Sequence, residues 1–277
     1  MRVFRLRLLE IVFLVLIAFA GSPFLCSAQI TVAQLSDTHL GEKRAPNAAD
    51  NLRRAVEMIN ARAPDAVVLS GDIGEDDEQW EQAKTILKDL QAPLYYAPGN
   101  HDVHTSDVQK YRAQFGPDYY RFQVKQVTFL VIDSELLGNY ETYEAKSPPP
   151  LPSNTSGESK RMLKWLKHQR PFPGSVMIGI QHIPPIRDND FPPDTKPYWV
   201  MSDPYRSHEI DILHKLNVKD MLVGHWHNAR VYNWEGINWH VAPATSWLPW
   251  GGELGFDMHT IAADGTVTTE FVPLPVD

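Results

Sequence analysis

Ala66-Val67-Val68-Leu69 is an unbroken apolar run that stops at Gly71-Asp72. A strand without polar alternation is buried on both faces, which calls for a parallel sheet covered by helices. The flanks agree. Residues 30–36 alternate as a first strand, and Asn47 to Arg62 places Leu52, Val56 and Ile59 at helical spacing with Asn47 at the N-cap position. A helix over about Glu78 to Leu90 then leads to an apolar strand at 93–97. The order is β-α-β-α-β, hence a parallel sheet.

Beyond residue 102 the pattern changes. Residues 119–124 and 127–133 read as an antiparallel pair joined at Lys125-Gln126. Residues 141–158, rich in Pro, Ser and Glu, read as an exposed insertion in which Asn154-Thr155-Ser156 fits a glycosylation acceptor. A helix over 158–169 and a strand over 175–180 follow. Residues 183–205 contain six prolines and suit a lid or pocket wall better than a simple connector. A helix over 207–216, a strand over 218–223, and strands near 229–234, 237–242, 256–262 and 266–272 close the chain.

The first 28 residues stand apart. Arg2, Arg5 and Arg7 precede an apolar run from Leu8 to Ala20, and Cys26-Ser27-Ala28 offers small residues for cleavage. Residues 1–28 read as a secretory signal peptide cut near Ala28, leaving a domain over 29–277 and an exported, periplasmic or secreted, protein. The alternative is an uncleaved membrane anchor, for which the run is short. A weaker alternative is a lipoprotein acylated at Cys26. Cleavage removes three arginines and one glutamate, a net +2, and moves the formal charge from -8 to -10. So acidic a chain argues against nucleic-acid binding. Cys26 is the only cysteine, so the mature chain has no thiolate ligand, cysteine nucleophile or disulfide.

Five strand ends carry similar polar cargo: Asp37/His39, Asp72, Asn100/His101/Asp102, His182 and His225/His227. Ligands of open parallel sheets sit outside the carboxyl ends of strands, so these clusters are expected to converge. Carboxylate, imidazole and amide oxygen suit two transition-metal ions, divalent or trivalent, of Mn, Fe or Zn. Alternate residues of an extended segment point the same way, so Asp37 with His39, and His225 with His227, are each expected to present two donors to one side.

In order, Asp-x-His, Gly-Asp, Gly-Asn-His-Asp, His and Gly-His-x-His resemble the motifs of the calcineurin-like metallophosphoesterase family, over about residues 30 to 245. The resemblance implies an α/β fold, a four-layer α/β/β/α sandwich of two mixed β-sheets flanked by helices. It implies one metal on Asp37, His39, Asp72 and His227, and a second on Asp72, Asn100, His182 and His225, with Asp72 bridging. It implies His101 as general acid, with Asp102 fixing its tautomer and raising its pKa; for Asp102 alone, a turn-capping role is the alternative. The implied function is hydrolysis of a phosphomonoester or phosphodiester by in-line attack of a metal-bridging hydroxide. The substrate is then a phosphorylated small molecule or a phosphoprotein. Gln181-His-Ile-Pro-Pro and the closing segment resemble the calcineurin-like phosphoesterase-domain protein subgroup. Two departures stand out. Gln181 replaces the glycine that many members have before the second-metal histidine, and Glu75 stands where purple acid phosphatases have a tyrosine ligand. The alternatives are a non-catalytic metal-binding scaffold and a metal hydrolase acting on another bond.

Six of the eight tryptophans follow residue 198. Trp226 and Trp247 are candidate substrate-binding residues and Trp250 is left open, while Trp234 and Trp239 suit packing between layers. Glu75-Asp76-Asp77-Glu78 reads as a solvated first helical turn. His104, His168, His208, His214, His240 and His259 receive no role.

Overall fold

The computed structural model describes residues 29–103 and 108–275. Residues 1–28, read from the sequence as a signal peptide, and His104 lie outside them. Three parallel strands open the fold: β1 (Ile30–Leu35), β2 (Ala66–Ser70) and β3 (Leu94–Ala97), linked by α1 (Ala48–Arg62) and α2 (Asp77–Leu87). The apolar run of β2 is buried on both faces, as its composition requires. Val67 and Leu69 face the helices beside Leu52, Ile59 and Trp80, whereas Ala66 and Val68 face the other sheet.

An unanticipated helix, α3 (Val108–Phe115), follows, burying Tyr111. The hairpin β4 (Tyr120–Val124) and β5 (Val127–Val131) forms as expected. Helix α4 (Ser153–Lys167) begins five residues before the expected start, inside the stretch read as an insertion. Thr155, Ser159, Met162 and Leu166 make its buried stripe, so packing overrides poor local propensity. Then come β6 (Val176–Ile180), α5 (Tyr205–Lys215), β7 (Asp220–Val223), β8 (Arg230–Trp234), β9 (Ile237–Val241), β10 (Gly255–Ile261) and β11 (Val267–Pro273).

The strands form a five-stranded sheet, β11-β10-β1-β2-β3, and a six-stranded sheet, β4-β5-β6-β7-β9-β8, both mixed. Helices α1 and α2 cover the first sheet, and α4 and α5 cover the second. Between the sheets lie Ile30, Val32, Phe129, Ile178 and Leu222. At about 1.5–3 kcal/mol for each large apolar side chain buried, these three interfaces hold the layers together. The result is the four-layer α/β/β/α sandwich. Register aligns the ends of the parallel strands: Leu35 pairs with Leu69, Ser70 with Ala97, and Ile180 with Leu222. Two sheets therefore deliver their carboxyl ends to one place. Among the described residues no helix is long and apolar enough to cross a membrane.

Candidate metal centre

The sheets are tied together at this edge. His182 donates from Nδ1 to the Ser70 carbonyl at 2.6 Å, and the His225 amide donates to Asp37 Oδ2 at 3.1 Å. Both bonds need close approach. A Cβ at Gly99 would collide with the Asp72 carboxylate, and one at Gly224 would collide with the Ser36 hydroxyl.

Asp37 and His39, and His225 and His227, do point to a common space, though not as alternate residues of an extended strand. Asp37, His39, Asp72, His225 and His227 all have left-handed backbone, with φ between 40 and 69°. Each pair gains its shared direction from two left-handed residues flanking one ordinary one. Such conformations are uncommon outside glycine and collect at functional sites.

The imidazoles are then fixed one nitrogen at a time. Nδ1 of His39 faces Glu75 Oε1 at 3.1 Å, and Nδ1 of His227 faces the Trp247 carbonyl at 2.8 Å. His182 uses Nδ1 on Ser70, and His225 uses Nε2 on the Tyr198 carbonyl at 2.9 Å. Each ring keeps its other nitrogen for the centre, the arrangement by which outer hydrogen bonds set a ligand's tautomer. Asn100 donates from Nδ2 to the Tyr198 hydroxyl at 2.8 Å, leaving its Oδ1 to face inward.

The donors form two adjoining groups, Asp37/His39/His227 and Asp72/His182/His225, with His39/Asp72/His101 as a third overlapping set. Asp72 Oδ2 lies between them, 3.4 Å from His39 Nε2 and 3.2 Å from His182 Nε2. Asp37 Oδ1 is 3.1 Å from His227 Nε2. Asp37 Oδ1, Asn100 Oδ1 and His182 Nε2 are buried and accept or donate no hydrogen bond. Buried polar atoms are rarely left so. Three orphaned donor atoms of the types transition metals prefer, around one space, fit two such ions.

The electrostatics agree. Burial opposes charge on Asp37, yet His227 and His182 hold its carboxyl well below the usual range. Burial likewise opposes charge on Asp72, and His182 and His101 lower it. Burial works against protonation of His39 and His182, but the carboxylates of Asp37 and Glu75 beside His39, and the charges of Asp72 and Asp37 beside His182, raise each to about 10. His225 goes the other way, to about 3, through burial and then the charge of His182. Protons and metal ions compete for the same ring lone pairs and balance the same carboxylates, so this charge pattern suits cations.

His101 sits beside this set, with a quarter of its side chain exposed. Its Nδ1 is 3.2 Å from Glu75 Oε2, and its Nε2 faces the Tyr198 hydroxyl at 3.5 Å. The orienting role expected of Asp102 is therefore corrected. Both Asp102 oxygens are taken by backbone amides: Oδ2 accepts from Asp72 and Gly99 at 2.8 and 3.0 Å, and Oδ1 from Ile73 at 2.9 Å. Asp102 fastens the strand-end loops together, and the carboxylate facing His101 is that of Glu75. In the acidic run Asp76 caps α2 while Glu75 turns inward, bridging His39 and His101. Burial opposes charge on Glu75, but the two imidazoles bring it down to about 2.

The centre opens into a cavity of about 520 Å³. Tyr198 and Trp199, from the proline-rich loop, form one wall, and Trp247 and Trp250 line it too. The loop is thus a pocket wall. Trp226 is not a lining residue, which corrects its candidacy for substrate contact. It is fully buried, stacks on Tyr232 and donates from Nε1 to the Trp199 carbonyl at 2.8 Å, so it supports the wall from behind.

A sandwich of two mixed sheets, with two acid–histidine groups where its strand ends meet, defines a metallohydrolase-type architecture. Residues 30–229 match the family model of the calcineurin-like phosphoesterases, and the chain belongs to that family. It is 30% identical over 169 residues to a probable glycerophosphodiester phosphodiesterase of Arcobacter nitrofigilis, covering 56% of this chain and 58% of that protein. It is 27% identical over 219 residues to the serine/threonine-protein phosphatase CPPED1 of Homo sapiens, covering 74% of this chain and 65% of that one. The chain thus spans under two thirds of the length of these curated relatives. Its fold is that of a dimetal phosphatase from Danio rerio, with a TM-score of 0.62 at 14% identity over 89% of this chain and 99% of that one.

Proposed function

We propose that this protein is a metal-dependent phosphoric ester hydrolase acting through two transition-metal ions, Mn, Fe or Zn. The observation that carries the reading is the trio of orphaned inward atoms on Asp37, Asn100 and His182. Asp37, His39, Asp72 and His227 would hold one ion, and Asp72, Asn100, His182 and His225 the other. When bound, two such cations neutralise phosphoryl charge and make water nucleophilic at neutral pH.

The chain's own residues do the rest. Ser70, Glu75, Trp247 and Tyr198 hold the four imidazoles in fixed tautomers, and Tyr198 turns the Asn100 amide so that its oxygen faces the centre. His101, held at Nδ1 by Glu75, delivers a proton from Nε2 to the departing alkoxide. The substrate is a phosphorylated small molecule or a phosphoprotein. The names of the two relatives, a phosphodiesterase and a protein phosphatase, support that range.

Metal-stripped protein given Mn, Zn or Fe should hydrolyse p-nitrophenyl phosphate or its bis ester. Metal uptake without turnover of either ester overturns the reading. In His101→Ala, esters with poor leaving groups should slow more than activated aryl esters; equal slowing removes His101 from the acid role. Export rests on the composition of residues 1–28. The protein recovered from an exporting host should begin at Gln29, and a chain retained in the cell with Met1 intact would refute it.

A further inference from the structure

The cavity wall restricts what can enter beyond the phosphoryl group. Tyr198, Trp199 and Trp250 form a locked edge-to-face series: Tyr198 and Trp199 lie 4.9 Å apart at 89°, and Trp199 and Trp250 lie 4.6 Å apart at 63°. Tyr143 meets Tyr198 at 5.3 Å and 83° on one side, and Phe191 meets Trp250 at 5.2 Å and 79° on the other. Each ring is held by its neighbours, so the wall is pre-formed and little side-chain freedom is lost when a flat group binds.

Charge is scarce by contrast. Among the described lining residues Arg44 is the one Lys or Arg. Its guanidinium is already engaged, paired with Glu42 at 2.8 Å and lying 3.8 Å over the Trp247 ring. Glu141, at the rim, is acidic. Beyond the metal centre and His101, a second phosphate or carboxylate on the substrate would enter a space whose one Lys or Arg among the described residues is already paired, beside a carboxylate, and would lose hydration with little compensation.

We infer that the cleft selects a small phosphoester that carries a flat apolar group, which lies against the Tyr198–Trp199–Trp250 wall, and that it discriminates against phosphoesters with a further anion beyond the phosphoryl group. The inference rests on the phosphoesterase reading for the phosphoryl end and on the wall for the other.

Three non-hydrolysable probes separate ring from charge. Methylphenylphosphinate has one charge and one ring, dimethylphosphinate one charge and no ring, and (4-carboxyphenyl)methylphosphinate one ring that carries a second anion away from phosphorus. Binding to the metal-loaded protein is read at pH 8 by quenching of tryptophan fluorescence and checked by calorimetry. Methylphenylphosphinate should bind about tenfold tighter than dimethylphosphinate and about tenfold tighter than (4-carboxyphenyl)methylphosphinate. Trp250→Leu, which keeps an apolar side chain at a half-buried position, should remove most of the tenfold ring advantage and leave dimethylphosphinate unchanged. Equal binding of methylphenylphosphinate and dimethylphosphinate, or binding of (4-carboxyphenyl)methylphosphinate as tight as that of methylphenylphosphinate, overturns the inference. If bis(p-nitrophenyl) phosphate is hydrolysed while ring and charge make no difference to binding, the inference fails alone. If no ester is hydrolysed but the ring advantage persists, the phosphoesterase reading fails and the ligand class stands.

Discussion

Two buried histidine clusters lie in this fold, and they differ in what is left over. Between the sheets, His240 and His259 pack 5.6 Å apart around Thr269, whose hydroxyl meets both Nδ1 atoms at 2.7 and 2.9 Å. Their Nε2 atoms meet Asp220 at 3.0 Å and Gln34 at 2.9 Å. Every ring nitrogen there has a protein partner. At the strand ends, His182 is as deeply buried, yet its Nε2 makes no hydrogen bond and faces the Asp72 carboxylate, at 3.2 Å, on the side of the centre. Charge separates some of the rings, although burial lowers His225 at the centre too. Burial and then His240 push His259 well below its usual pKa, whereas the carboxylates raise His39 and His182. Burial and residue type are shared; buried carboxylate, amide and imidazole atoms that converge on one space without a hydrogen bond mark the centre.

The sharpest way to break this contrast is to remove one member from each cluster. Asp72→Ala should lower turnover by about 10³-fold and cut bound metal from two ions to fewer than one, read by elemental analysis and ester hydrolysis. His240→Ala should keep its metal and lose only stability, about 2 kcal/mol by urea unfolding. Loss of metal from the His240 variant would erase the distinction.

Asp102 tests whether proximity to the centre implies a part in the chemistry. Asp102→Ala leaves three backbone amides without their acceptor, and at about 1 kcal/mol each should cost about 3 kcal/mol in urea unfolding. The ratio of rates on good and poor leaving groups should stay that of the parent protein. Glu75→Gln should do the reverse. Its fold should hold, while poor-leaving-group esters slow by about tenfold, the usual scale for an outer-shell partner.

A pH-dependent contrast lies in α5. Glu209 is fully buried beside Gln181, and burial raises its carboxyl to about 8 against the weak pull of the Gln181 amide. Between the ordinary carboxylate pKa and about 8 the folded chain keeps a proton that the unfolded chain has released. Its contribution to stability is therefore complete below that ordinary value and is lost as pH rises to about 8, by at most about 1.4 kcal/mol per pH unit. Glu209→Gln should flatten this slope and be the more stable protein at pH 8, with metal content unchanged; parallel pH curves for the two proteins would refute it.

The layers and strand-end clusters are legible because each rests on local signals: an apolar run, a glycine, a polar residue in register. What escapes is tertiary. Glu75 sits in an acidic run that any local reading assigns to a helix start, and its reach to His39 and His101 spans 36 and 26 residues. Tyr198 meets Asn100 across 98 residues from a loop without periodicity. Asp102 misleads because it follows His101, whereas neighbours in a tight turn point apart. The start of α4 is hidden by Ser153, Asn154 and Gly157, which local propensity sets against a helix.

The left-handed backbone at Asp37, His39, Asp72, His225 and His227 also limits how these positions can drift over evolutionary time. Aspartate, asparagine and histidine are the non-glycine residues most at home in that conformation, and all three can ligate a metal. Backbone and chemistry thus draw on one short alphabet. Glutamate and cysteine offer suitable donor atoms and lack the conformational tolerance, so ligand exchange within this scaffold passes more readily among Asp, Asn and His than outward to other ligand types.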